Sequence, residues 1–145
     1  MSVEKIIVDN KFKMTVPEGW QDQSIYRFVG PELDGLQHAI TLTIDHALEN
    51  QSLEQFSQLK ISALRETLQG YLELKQKEIT LENGTRAFEL VFRWTPVQNA
   101  VVLYHNIFIV AKQKGYSLAG QFTMDSYEMI GKAVVRKMYS FEPIG

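Results

Sequence analysis

The sequence predicts an α+β fold: an antiparallel sheet of six to seven strands with two helices packed on it. Three observations carry this. Residues 38–45 alternate, with Ile40, Leu42 and Ile44 on one face and Thr41 and Thr43 on the other, which is the period of a half-buried strand. After Ser52 the spacing changes to that of a helix, with Leu53, Phe56, Leu59, Ile61, Leu64 and Leu68 recurring three or four apart. Short turn signals then separate several further alternating runs. Strands joined by short turns pair antiparallel, and the helices cover one face of the sheet.

The elements follow in order. Residues 11–16 form a strand that ends at Pro17. Residues 24–29 form a second, stopped by Gly30-Pro31, and residues 30–37 are a loop. The third is 38–45. Ser52-Leu-Glu-Gln55 has the capping-box pattern, in which Ser52 accepts from a first-turn N–H and Gln55 reaches back. Gly70 stands at the C′ position of that helix. Residues 71–81 and 85–95 are strands around an Asn83-Gly84 hairpin turn. Residues 100–112 form a long strand, Gln113-Lys-Gly115 a turn, and 116–123 another strand. A second helix over 125–138 points Met129, Ile130, Val134 and Met138 inward, and a short extended tail closes the chain.

The 145 residues make one domain, with no linker, repeat or low-complexity run. Net charge is −2. Nothing concentrates Lys and Arg as nucleic-acid or anionic-membrane binding requires. The chain has no cysteine, so disulfides, thiolate metal sites, a cysteine nucleophile and a lipid-anchor cysteine are excluded. The first residues lack the apolar run of about 7–15 residues that a secretion signal needs. No segment approaches the ~20 apolar residues of a membrane span. The expected location is the cytoplasm.

The sequence carries little that looks catalytic. The three histidines, His38, His46 and His105, are not at chelating spacing, and His105 reads as structural. No phosphate loop, dinucleotide glycine pattern or nucleophile elbow is present. Asp45-His46 with Asp22 is the only acid–base grouping, and it has no framed nucleophile. Lys75, Lys77, Arg86 and Arg93 alternate with Glu73, Glu78 and Glu89, as a solvated, self-neutralised face would. Trp20 reads as a plug at the end of the core. The expectation is a non-enzymatic protein without cofactor or metal.

One anomaly remains. Residues 100–112 are apolar on both faces, with Val101, Leu103, Ile107 and Ile109 on one and Val102, Tyr104, Phe108 and Val110 on the other, where Asn106 also lies. A sheet with helices on one face needs only one apolar side. The second side predicts a partner or dimer surface, with a strand covered by helices on both faces as the alternative.

The segment 12–28 resembles a family. Its Pro17-Glu-Gly turn followed by Trp20-Gln-Asp-Gln-Ser24 resembles the opening hairpin of the DUF1795 (DcrB-like) family, most closely the Eag chaperones of bacterial type VI secretion. Unlike DcrB-type members, the chain shows neither an export signal nor a lipid anchor. The resemblance implies a Mog1/PsbP-like α/β/α sandwich. It implies a cytoplasmic homodimer that shields the N-terminal transmembrane segments of a PAAR-containing effector, without inserting into a membrane. The implied grip residues are Ile25, Thr43, Asn106 in place of a family glutamine, and Gln58 or Lys60 on the helix. Arg27 departs from the family, which has an apolar residue there. Thr41, Tyr104 and Phe108 complete the expected partner face. The alternative is another superfamily member that binds a different protein or a small apolar ligand. An enzyme or enzyme regulator is a third reading.

Overall fold

A computed structural model describes residues 5–8, 13–46 and 48–144, with backbone only for 5–8. Positions 11 and 12 of the expected first strand lie outside the described residues. Strands β1 (Lys5–Val8) and β2 (Lys13–Val16) form a hairpin of their own. The main sheet has six antiparallel strands: β3 (Gln23–Leu33), β4 (Leu36–Asp45), β5 (Leu72–Thr80), β6 (Arg86–Val97), β7 (Ala100–Ala111) and β8 (Lys114–Phe122). They lie side by side in the order β3-β4-β8-β7-β6-β5. Helix α1 (Leu53–Thr67) sits on one face. The other face carries a C-terminal helical segment made of α2 (Met124–Ser126), a wide π-helical turn (Tyr127–Gly131) and α3 (Lys132–Met138). Among the described residues no helix is long and apolar enough to cross a membrane.

The sheet is therefore covered on both sides, and β7 is its double-sided strand. Ile107 and Ile109 pack with Leu118, Val135 and Met138 under the C-terminal helices. Phe108 packs with Phe56, Ile61, Leu90 and Phe92 under α1. The apolar second side of residues 100–112 is thus a core under α1, not an exposed partner surface. Two helices on opposite faces bury what one-sided packing would have left wet.

Several expected boundaries move. β3 does not stop at Gly30-Pro31. It continues to Leu33 through a bulge between Val29 and Glu32, and a tight turn at Asp34-Gly35 leads straight into β4. Proline ends a central strand but is tolerated on an edge, where its missing N–H faces no partner. Ser52 and Gln55 form the capping box as expected. The helix, however, leaves α-geometry at Leu68, so Gly70, with φ +71°, lies one position beyond C′. Lys112 and Gln113 both have positive φ and make the β7–β8 turn themselves. Gly115 is needed for packing instead: a Cβ there would stand 2.4 Å from the Phe56 ring. In the C-terminal segment the π-turn rotates the apolar stripe, so Met129 points outward and is 73% exposed, while Val135 takes an inward place.

Charge also enters the core. Glu89 on β6 is fully buried, not on a solvated face. Its Oε2 accepts from His105 Nε2 at 2.8 Å and from the Tyr139 hydroxyl. Lys75 Nζ stands 2.9 Å from Oε1, a close charge contact. With Nε2 donating, His105 Nδ1 is left to accept from the Tyr127 hydroxyl at 2.9 Å. The cluster joins β5, β6 and β7 to the C-terminal segment. Burial alone would raise the Glu89 carboxyl, but the bonds from His105 and Tyr139 and the Lys75 ammonium outweigh it and hold it at about 2.

Two predictions follow from this packing. A carboxylate held below its usual value of 4.5 contributes stability that is complete above that value. The contribution is lost as pH falls towards about 2. For Glu89 it is on the order of 3 kcal/mol. Urea unfolding of Glu89→Gln between pH 6 and pH 2.5 should show a shallower loss of stability than the parent; parallel curves would remove Glu89 from the acid response. Gly115→Ala should cost about 1–3 kcal/mol by overpacking against Phe56, read from the same unfolding curves.

Candidate functional site

Strand register places the side chains of the α1 face in rows. One row runs Ile25 (β3), Thr43 (β4), Ser117 (β8), Phe108 (β7), Phe88 (β6) and Glu78 (β5). The next runs Arg27, Thr41, Ala119, Asn106, Leu90 and Gln76, and a third Val29, Ala39, Gln121, Tyr104, Phe92 and Glu73. α1 packs mainly over β6 and β7. The β3–β4–β8 half of each row is left without a helix. There Ile25, Arg27 and Val29 are exposed, and Thr41, Thr43, Ser117, Ala119 and Gln121 are half-buried.

This bare half-face is the candidate site. Its floor is small and hydroxyl-bearing, with β-branched methyls for packing and Oγ atoms for hydrogen bonds. Tyr104 closes its inner side, donating to Gln121 Oε1 at 3.2 Å, while Gln121 Nε2 donates to the Gln37 carbonyl at 2.6 Å. Burial pushes the Tyr104 phenol up, and the charge of Arg27 pulls the other way. Asn106 stands at the border with the α1-covered half. It is buried, and its Oδ1 has no hydrogen-bond partner. A buried acceptor without a partner costs stability, and the floor is the unfilled side next to it.

The expected partner-binding residues divide accordingly. Ile25, Arg27, Thr41 and Thr43 share the bare half-face, with Tyr104 and Asn106 along its inner border. Phe108 does not belong: it is buried edge-on to Phe56 beneath α1. Gln58 lies on the far side of the helix and donates to Gln76 Oε1 on β5 at 3.1 Å. Lys60 is the α1 residue turned towards the floor, its Nζ 3.0 Å from Asp45 Oδ2 at the end of β4. Ser117, Ala119 and Gln121 belong to the floor and were missed. They were legible as the outward side of residues 116–123, but only register shows that this side continues Thr41 and Thr43. Trp20 is no core plug. It is 67% exposed, its N–H bonded to the Pro17 carbonyl in the turn before β3.

The acid–base grouping at the floor's end gains a hydroxyl. Ser24 Oγ is 2.8 Å from His46 Nε2, and Asp22 Oδ2 is 3.8 Å from the same nitrogen. A nucleophile relay needs the serine on one ring nitrogen and the carboxylate on the other, and this arrangement puts both on one. Among the described residues no group of three or more His, Asp or Glu is placed to hold a metal ion. On the opposite face, a cavity of about 230 Å³ is lined by Phe28, Ile40, Phe122, Ile130 and Val134, with His38 as a polar group.

The DcrB family model matches residues 13–127. The crystal structure of PA94 from Pseudomonas aeruginosa, a protein of unknown function, is similar over 98% of both chains at 17% identity, with a TM-score of 0.76. The solution structure of the PsbP protein CyanoP from Synechocystis sp. PCC 6803 is similar over 99% of this chain and 94% of that one, at 10% identity and a TM-score of 0.59. At these identities the likeness shows the fold, the Mog1/PsbP-like arrangement. No match was found among curated proteins.

The orphaned acceptor gives a prediction. Asn106→Leu removes a buried polar atom without a partner at nearly constant volume. The isolated chain should become more stable by about 1 kcal/mol or stay unchanged. A loss above about 2 kcal/mol in urea unfolding would mean that the amide is satisfied in the free protein.

Proposed function

The chain belongs to the DcrB family, and from that premise we propose that it is a non-enzymatic chaperone or adaptor of a type VI secretion effector. It binds the effector's N-terminal transmembrane helices in the cytoplasm, acts as a homodimer, and needs no cofactor. The observation that carries the reading is the bare half-face. Strand β4, ten residues long, extends for about 33 Å, close to the ~30 Å of a membrane-spanning helix. Ile25, Val29, Ala119 and the threonine methyls offer apolar contact. Thr41, Thr43 and Ser117 offer hydrogen bonds to the few polar groups that such helices carry where they pack together, with the Asn106 amide buried at the inner border of the floor. Exposed in water, a helix of that length and character aggregates, and covering it is the physical task.

Arg27 fits this reading in spite of its charge. Its aliphatic stem can lie along an apolar helix while the guanidinium reaches water at the β3 edge. The cavity on the opposite face favours a second reading, a small apolar ligand. Its volume of about 230 Å³ is below the usual ~300–1,000 Å³ of ligand pockets.

Co-expression with an effector's N-terminal transmembrane fragment tests the proposal. The fragment should stay soluble and co-purify. Ile25→Asp and Asn106→Leu should each weaken capture about tenfold or more while leaving far-UV circular dichroism unchanged. A fragment that remains insoluble, with nothing retained on the chain, sinks the chaperone reading.

A further inference from the structure

The cavity on the face opposite the bare floor lies at the corner between β3, β4, β8 and the C-terminal segment. Ile130 and Val134, one turn apart, wall it on the helical side. Phe122, 1% exposed, lies at its base, and Phe28, 61% exposed, stands at its mouth. Two features keep the corner open. The bulge between Val29 and Glu32 brings Gly30 and Pro31 to the cavity, residues with little bulk to fill it. The Phe122 ring lies back over Gly120, where a Cβ would stand 3.1 Å from it, and packs edge-on to Tyr127 at 5.2 Å.

The polar groups of the lining are already engaged. His38 is buried, and its Nδ1 lies 3.0 Å from the Leu36 carbonyl oxygen and 3.2 Å from that of Pro31. Nδ1 therefore carries the proton and donates. Nε2 then accepts from the Ser126 hydroxyl at 2.6 Å. The Gly30 carbonyl accepts from Gln37 Nε2 at 2.5 Å, and Pro31 has no N–H. Among the described residues that line the cavity, none has a charged side chain. A charge or an unpaired polar group placed here would lose its water and find no replacement.

We propose that this cavity is a binding site for a small neutral molecule built on one aromatic ring. Its volume of about 230 Å³ is too small for a cofactor-sized ligand. It exceeds the ~150 Å³ at which an apolar cavity already binds benzene. The lining itself presents rings. His38 and Phe122 stand edge to face, 5.9 Å apart at 67°, with Phe28 at the mouth. Both buried rings are held from behind, His38 by its hydrogen bonds and Phe122 by Tyr127. They keep in place the edges and faces with which an added ring pairs. A flexible chain would gain similar burial without that pairing, and would lose more rotational freedom. The proposal deepens the apolar-ligand reading of this cavity and rests on it. It is separate from the chaperone reading, because His38, Phe28, Ile40 and Phe122 point to the face opposite the bare floor.

Amide NMR of the purified full-length chain, with toluene, cyclohexane and benzoate as probes, tests the site. Toluene should bind with a Kd of about 1 mM or tighter, shifting the signals of His38, Phe122, Ile130 and Val134 most. Cyclohexane, of similar size, should bind about threefold more weakly or worse, and benzoate at least about tenfold more weakly. Val134→Phe fills the cavity with a ring of its own and should abolish toluene binding. Gly30→Val is the second arm. A Cβ there makes only ordinary contacts, 3.7 Å from the His38 carbonyl oxygen, and toluene should bind about tenfold more weakly with an unchanged circular dichroism spectrum. Toluene that shifts none of these signals overturns the site and the apolar-ligand reading with it. So does a natively folded Val134→Phe or Gly30→Val that binds toluene like the parent. Cyclohexane or benzoate binding as tightly as toluene leaves an occupied cavity and overturns the neutral aromatic class alone.

Discussion

One helix is too narrow for the sheet it covers. Six strands at about 4.8 Å spacing span about 24 Å between the edge axes, and a helix with its side chains is about 10–12 Å across. α1 must therefore choose a half. It covers β6 and β7, because Phe56 and Ile61 seat against Leu90, Phe92 and Phe108, and because Gly115 leaves space for the Phe56 ring. What remains bare on that face follows from this choice, and so does its position against the β3 edge. On the other face the C-terminal segment spreads across more strands: its α3 residues reach Leu118 and Ile107, and its π-turn residues reach Val91, Leu103 and Phe122.

The two faces handle polarity in opposite ways. Under the C-terminal segment, Glu89 is buried with partners from three other elements, Lys75, His105 and Tyr139. Such a cluster is costly to break once formed, and it fastens the helical segment to the sheet. On the α1 face, Asn106 is buried with an acceptor left over. Asn106 Oδ1 is one of four buried side-chain atoms without a hydrogen-bond partner among the described residues, with Ser57 Oγ, Trp94 Nε1 and Glu89 Oε1, the last held by the Lys75 charge.

Much of the architecture was legible because alternation and helical spacing are strong over 38–45, 52–68 and 85–123. The breaks that did not hold came from local rules overridden by position. Gly30-Pro31 is a stop signal for a central strand, and nothing in residues 24–37 alone says that β3 lies at an edge. Met129 follows helical spacing by count, but a π-turn adds a residue to that turn and swings it outward. Phe108 and Gln58 fell to the same limit. A strand that is apolar on both sides can be covered twice or left open once, and the sequence of that strand is the same in both cases. Thr41, Thr43 and Ile25 were assigned correctly to one face because parity within a strand survives folding. Ser117, Ala119 and Gln121 needed strand order, which alternation does not encode.

Under the proposed function, the composition of the bare half-face answers two opposed demands. A surface that grips an apolar helix should itself be apolar, yet a bare apolar half-sheet beside an exposed edge would aggregate before meeting its partner. Threonine answers both: its β-branched side chain favours a strand and packs like valine, while its hydroxyl keeps the free face wettable. Thr41 and Thr43 on β4, with Ser117 beside them on β8, occupy the middle of the floor. The large apolar side chains, Ile25 and Val29, stand with Arg27 on β3, at the open edge of the sheet. On the proposed chaperone reading, the floor keeps hydroxyls at its centre, wettable while free, and its larger hydrocarbon at the β3 rim, where a bound helix would lie against it.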